Sequence, residues 1–107
     1  MPSADDFRRL ALSFPGAEEM SHMNHPDFRV GGRIFATLGA PDDQWGMVQL
    51  LPEQQELAME AEPDMFEPAA GAWGRKGATL VRLEAVPDEW LERSLRWAWE
   101  NRARRNS

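Results

Sequence analysis

The stretch Pro26–Leu51, PDFRVGGRIFATLGAPDDQWGMVQLL, is the densest block of strand-forming residues in the chain, and it decides the fold. Its branched, aromatic and large aliphatic side chains suit a pleated, half-buried surface. Gly31 and Gly32 separate two such runs, and paired glycines can take the positive φ angles that a two-residue hairpin turn needs. The sequence therefore predicts a hairpin with three cross-strand pairs: Val30 with Arg33, Arg29 with Ile34, and Phe28 with Phe35.

Further strands are predicted on both sides of this hairpin. Residues 39–44 (GAPDDQ) form a cluster of turn-forming residues. The segment that follows, Trp45–Leu51, alternates as a third strand does. Shorter strands are predicted at Glu19–Met23 and at Thr79–Leu83. The segment 64–78 is rich in glycine and proline, and we predict a loop without regular structure there.

Three helices are predicted from apolar periodicity and capping signals. The first is Ser3–Ser13, with Ser3 as its N-cap. The second is Pro52–Glu62, whose narrow apolar face is formed by Leu57, Ala58 and Ala61. The third opens at Pro87 and Asp88, runs to about Arg104 and has one broad apolar arc. Its last basic residues are predicted to fray as a tail: Arg102, Arg104 and Arg105.

These elements predict an α+β domain in which an antiparallel sheet of about four to five strands packs against N- and C-terminal helices. A length of 107 residues fits a single domain, residues 1–107. The absence of cysteine excludes disulfides, cysteine nucleophiles and thiolate metal sites. No apolar run approaches the roughly 20 residues of a membrane span, and the N-terminus lacks the pattern of a signal peptide. We expect a soluble, cytoplasmic protein without a membrane partner.

The charge of the chain is strongly asymmetric. The formal net charge is −6, yet residues 34–74 contain acidic residues and no Lys or Arg, whereas residues 75–107 have an excess of basic residues. An acidic protein repels nucleic acid at long range. Any nucleic-acid site must therefore be a local basic patch.

No pattern in the sequence predicts an enzyme or a cofactor, because no nucleophile–base pair and no fixed pair of carboxylates can be assembled from it. A metal or small-ligand site is the alternative hypothesis. His22 and His25 would need a third ligand from Glu18, Glu19 or Asp27. Separately, an acidic ridge is predicted on one face of the second helix: Glu53, Glu56 and Glu60.

Several segments, in order and spacing, resemble a known family. They are Ser13–Glu19 (SFPGAEE), His25–Ala36 (HPDFRVGGRIFA), Glu67-Pro68, Gly71–Gly77 (GAWGRKG) with Thr79–Leu83 (TLVRL), and Ala98-Trp99. The chain resembles the MmcQ/YjbR-like proteins, small bacterial domains with a CyaY-like (frataxin-like) α+β fold that is also described as a double-wing DNA-binding motif. Many relatives have Lys in place of Arg33, which preserves the charge, and an aromatic residue near Thr79, which this chain lacks.

The resemblance implies a non-enzymatic domain that binds DNA through a local basic patch. The candidate binding residues are Arg29, Arg33, Trp73, Arg75, Lys76 and Arg82. Glycines around Arg75 and Lys76 would let these bases approach a phosphate backbone, and Trp73 would be a stacking group. The basic side chains would act mainly through phosphate contacts. The hypothesis predicts that they cluster on one surface, away from the acidic segment.

Overall fold

The structure, a computed structural model, describes residues 4–39 and 42–104. The helices in these residues are α1 (Ala4–Ser13), α2 (Pro52–Ala61), α3 (Gly71–Arg75) and α4 (Asp88–Ala103). The strands are β1 (Glu18–His22), β2 (His25–Val30), β3 (Arg33–Leu38), β4 (Trp45–Gln49), β5 (Phe66–Pro68) and β6 (Ala78–Arg82). The predicted α+β class is confirmed, with six strands where four to five were expected.

All the strands belong to one antiparallel sheet in the order β1-β2-β3-β4-β6-β5. The first four strands form a meander, and β6 continues it on the free edge of β4. The chain between β4 and β6 forms α2, β5 and α3, and β5 pairs on the outer side of β6. The sheet therefore ends in β1 on one side and in the short β5 on the other.

Helices α1, α2 and α4 cover one face of the sheet. A Cβ placed on Gly46 would lie 2.5 Å from the Phe7 ring, so the Phe7 side chain of α1 packs against β4. The core between the helices and this face is fully closed. Its largest buried side chains include Phe7, Phe28, Phe35, Phe66, Leu91 and Leu95. The register places Asp27, Thr37, Met47 and Leu80 in one row on the opposite face, and no described helix covers that row.

The central hairpin differs from the predicted one at one pair. Val30 pairs with Arg33 and Arg29 with Ile34, as expected, but Phe28 pairs with Ala36 and not with Phe35. The register shifts between Phe28 and Arg29, so β3 has one extra residue at this point, a β-bulge. The predicted pairing of Phe28 with Phe35 is therefore wrong, and Thr37 pairs with Asp27. The bulge lets both phenylalanines be fully buried.

The predicted loop 64–78 is wrong, because it contains β5 and α3. Phe66 is buried, and backbone pairing with β6 holds the three residues of β5 in a strand. After α3, the Lys76 N–H donates to the carbonyls of Ala72 and Trp73 and closes the helix. Tertiary contacts thus impose order on a segment whose local propensity favours a loop.

Two helix predictions also need correction. In α2, Leu57 is 55% exposed, while Gln55 and Ala58 form the buried side. In α4, Arg102 lies within the helix, and its Nε donates a hydrogen bond of 3.0 Å to the Ile34 carbonyl, so this residue does not fray. Ser3, Arg105 and the turn residues 40–41 lie outside the described residues. None of the described helices combines the length and apolar character needed to cross a bilayer.

Gly77 allows a close approach of two backbone segments. Its φ is +113°, and a Cβ at this position would collide with the Leu50 carbonyl. We expect Gly77→Ala to lower the free energy of unfolding by about 2–4 kcal/mol, since backbone strain and overpacking add. Gly32→Ala is the matched control, because Gly32 has a φ of +79° with nothing within 4 Å.

Gly32→Ala should cost only about 1–2 kcal/mol, the strain of a positive φ alone. Urea unfolding of both variants measures the difference. Equal losses of unfolding free energy in the two variants would show that the close approach of the Leu50 carbonyl to Gly77 adds nothing to the cost of the substitution.

Candidate functional site

One end of the sheet brings distant parts of the chain together. Gln49 at the end of β4 pairs with Ala78 at the start of β6. The Gly31-Gly32 turn between β2 and β3 lies at this same end, because adjacent strands are antiparallel. Here α3 leads into β6, and the last turn of α4 arrives over β3. We call this region the Gln49 end.

A groove of about 430 Å³ opens at the Gln49 end. Trp73 and Lys76 line one side, and the last turn of α4 lines the other with Arg102 and Arg104. Leu51 adds apolar surface between the two sides and is 44% exposed. The groove therefore combines three cations with an indole ring and, among the described residues that line it, no acidic side chain. We call it the basic groove.

The Trp73 side of the basic groove is fixed by a buried amide. Gln55 Nε2 on α2 donates to the carbonyls of Gly74 and Ala78, at 3.0 and 3.2 Å, and to Thr79 Oγ1 at 3.1 Å. Gly74 is itself buried, and a Cβ there would collide with the Ala69 backbone. Helix α3 is thus anchored at its centre, one residue from Trp73.

The α4 side is fixed by a second amide. Asn101 Nδ2 donates to the Gln49 carbonyl at 3.0 Å and to Gln54 Oε1 at 2.9 Å. Gln54 Oε1 also accepts the backbone N–H of Leu51 at 2.9 Å. These bonds join α4, β4 and the start of α2, so both sides of the basic groove are held in place by the fold. The backbone on both sides of such a groove is therefore in position before a ligand binds.

The structure divides the six predicted binding residues into three groups. Arg33, Trp73, Arg75 and Lys76 lie on elements of the Gln49 end, and two of them, Trp73 and Lys76, line the basic groove. Arg82 lies at the opposite end of the sheet, where its guanidinium sits 4.5 Å from the centre of the Trp45 ring. It also donates Nε to the Asp64 carbonyl. The six residues therefore do not form one patch.

Arg29 lies on the face of the sheet that α1, α2 and α4 leave uncovered and is held there by Asp27. Its Nε and one terminal nitrogen donate to the two Asp27 carboxylate oxygens at 2.8 and 3.1 Å. Asp27 is fully buried and also contacts His22, whose Nδ1 lies 2.7 Å from Oδ2. The Arg29 guanidinium lowers the pKa of Asp27, and His22 adds to this effect, while burial opposes it. The same bond raises the pKa of Arg29.

The predicted metal ligands do not converge. His22 and His25 have ring centres 6.5 Å apart, and Asp27 is already engaged by Arg29. On α2, the three predicted acidic residues are exposed: Glu53, Glu56 and Glu60. Within residues 4–39 and 42–104, no group of three or more His, Asp or Glu side chains is arranged to hold a metal ion.

Sequence reasoning missed Arg102 and Arg104 as members of the site. The pattern that could have identified Arg102 is the helical period of α4. The buried residues Leu91, Leu95 and Ala98 recur at i, i+4 and i+7. Arg102 follows at i+11 and continues the same stripe. A basic residue on the buried stripe of a helix end is aimed at the sheet and not at bulk solvent.

The Asp27 cluster predicts a pH dependence of stability. Because the folded-state pKa of Asp27 is below its ordinary value of 3.8, its contribution is complete above that value and is lost as pH falls through the lower one. We expect Asp27→Asn to lower the free energy of unfolding by about 1–3 kcal/mol near neutral pH. The gap from the wild type should shrink as pH falls below about 3.8.

Urea midpoints across this pH range are the measurement, and Asp43→Asn, at an exposed position, is the control. A gap between wild type and Asp27→Asn that stays constant down to the acid limit would contradict the assigned ion pair.

These features define the class of protein: a small α+β domain, an antiparallel sheet with one helical layer and a preformed basic groove at one end. The YjbR family model matches residues 12–101, and the chain therefore belongs to the YjbR family. The crystal structure of the Deinococcus radiodurans protein DR2400, which has a DUF419 domain, is similar to this chain with a TM-score of 0.77 at 25% identity. The match covers 92% of this chain and 76% of the other. No curated protein sequence matches.

Proposed function

We propose that the protein is a non-enzymatic binding domain that takes DNA into the basic groove. The single observation that carries the proposal is the placing of Trp73, Lys76, Arg102 and Arg104 around one preformed cavity. Cations provide phosphate contacts, which supply most of the affinity of a nucleic-acid site. An indole face adds a surface on which a base can stack.

The charge distribution of the whole molecule supports the same proposal. A second groove of about 480 Å³ is lined by Asp6, Asp88, Glu89 and Glu92, with Arg9 and Leu10 at its side, near the start of α4. The basic groove lies near the other end of this helix, which at 1.5 Å per residue is about 24 Å long. A polyanion would be repelled from the first groove and attracted to the second.

The family membership agrees with a binding role but specifies no ligand. Chemistry on a bound substrate usually relies on a carboxylate, hydroxyl or imidazole beside a basic group, and the described side chains that line the basic groove include none of these three. The proposed role requires access to DNA, which fits the cytoplasmic location expected from the sequence.

The salt dependence of DNA binding tests the proposal. We expect fluorescence anisotropy to show micromolar binding of a labelled oligonucleotide at about 50 mM salt, with a marked loss of affinity at about 200 mM. Lys76→Gln should reduce the slope of log K against log salt by about 0.7–0.9, because one phosphate contact is lost.

The control is Arg9→Gln, which removes the same charge from an exposed position beside the acidic groove. It should leave the slope unchanged, whereas a non-specific effect of net charge would lower both slopes equally. The absence of any binding at about 50 mM salt would refute the proposed function.

A further inference from the structure

We propose that the basic groove selects single-stranded over double-stranded nucleic acid, through stacking of an unpaired base on Trp73. This inference rests on the proposed function and gives it a substrate class. It also assigns separate roles to the two kinds of side chain in the groove. The cations attract any phosphate backbone, whereas the indole ring distinguishes an accessible base from one inside a duplex.

The exposure of Trp73 is the first observation. Trp73 is 69% exposed, whereas the other four tryptophans of the chain are partly buried and each has a ring or cation partner. Trp90 contacts Phe66 and Trp97 edge-on, Trp99 stacks on Phe14, and Trp45 lies under Arg82. The indole and the exposed Leu51 together leave an apolar patch beside cations, and such patches with a polar rim mark interaction sites.

The rigidity of α3 is the second observation. The hydrogen bond from Gln55 to the Gly74 carbonyl fixes the residue next to Trp73, and Gly74 has no room for even one more carbon atom. The backbone that carries the indole is therefore held before any ligand arrives. A preorganised stacking platform loses little conformational entropy on binding, so more of the stacking energy appears as affinity.

The neighbours of Trp73 are the third observation. Lys76, Arg102 and Arg104 line the same groove, so a nucleotide whose base rests on Trp73 has its phosphates among cations. The exposed Leu51 gives the base further apolar surface. The cavity volume of about 430 Å³ lies within the range of small-molecule sites.

Base pairing decides which ligand can use this arrangement. In a duplex each base face is covered by its neighbour, so an indole can stack on it only after the base is unstacked at a cost of a few kcal/mol. An unpaired strand exposes these faces, and stacking on an aromatic ring tolerates every base. The groove should therefore prefer single strands without a strong sequence preference.

Three labelled ligands of equal phosphate number test the proposal at about 50 mM salt: an oligothymidylate of about 12 nucleotides, an abasic oligomer and a hairpin duplex. We expect the wild type to bind the oligothymidylate at least about tenfold more tightly than either of the others. Trp73→Ala should lower its affinity for the oligothymidylate to the abasic level and leave the duplex affinity unchanged. Trp73→Phe should retain most of the preference.

Leu57→Ala is the matched control for truncating an exposed apolar side chain, since Leu57 does not line the groove. A second readout is tryptophan fluorescence, which should be quenched when oligothymidylate binds to the wild type but not to Trp73→Phe. That loss of quenching would separate direct stacking from an indirect effect on the fold. A quench that persists in Trp73→Phe would overturn the assignment of the stacking group.

The remaining outcomes distinguish the inference from the proposed function. Equal affinity for all three ligands, with Trp73→Ala as competent as the wild type, would overturn strand selection and leave DNA binding standing. No binding of any ligand would overturn both. Displacement of the oligothymidylate by thymidine monophosphate at equal nucleotide concentration would also overturn the inference, because it would identify a pocket for free nucleotides. If thymidine monophosphate does not displace the oligothymidylate, the result supports a polymeric ligand.

Discussion

The buried side-chain amide of Gln55 is the interaction on which the arrangement of α2, α3 and β6 depends. It joins α2 to the Gly74 carbonyl, to the Ala78 carbonyl at the start of β6 and to the Thr79 hydroxyl. A buried polar group without partners costs about 1–3 kcal/mol, so replacement by an apolar residue would leave acceptors on both α3 and β6 without this donor. The amide therefore specifies one position of α3 relative to the sheet, and Trp73 is positioned by the same bonds.

Helix α4 runs from the acidic groove to the basic groove of the molecule. Its first turn carries Asp88 and Glu89 beside the acidic groove, and its last turn carries Arg102 beside the basic groove. This distribution also complements the helix dipole, which favours acids at the N-terminus and bases at the C-terminus. One element thus stabilises itself and separates the two charge signs across the molecule, although the net charge of the chain is −6.

The sequence predicts the parts of this fold that depend on local pattern. The Gly31-Gly32 turn, a strand that begins at Trp45 and the long final helix follow from propensity and periodicity, and all are confirmed, although the strand ends at Gln49 and not at Leu51. The β-bulge at Phe35 could not be predicted, because it depends on how two phenylalanines share one core. Likewise α3 owes its order to the hydrogen bond from Gln55, 19 positions before Gly74, and β5 owes its order to pairing with β6. The candidate site was predicted only in part, because its second side is formed by a helix end that looked like a solvent-exposed tail.

The position of α4 in the chain has a consequence for how the molecule is made. Strands β1–β6 precede α4 in sequence, so the ribosome releases them first, and the cationic side formed by Arg102 and Arg104 arrives after the sheet has been synthesised. Until Asn101 docks on the Gln49 carbonyl, the growing chain has only half of its groove. The proposed binding groove is therefore completed late, when α4 has docked.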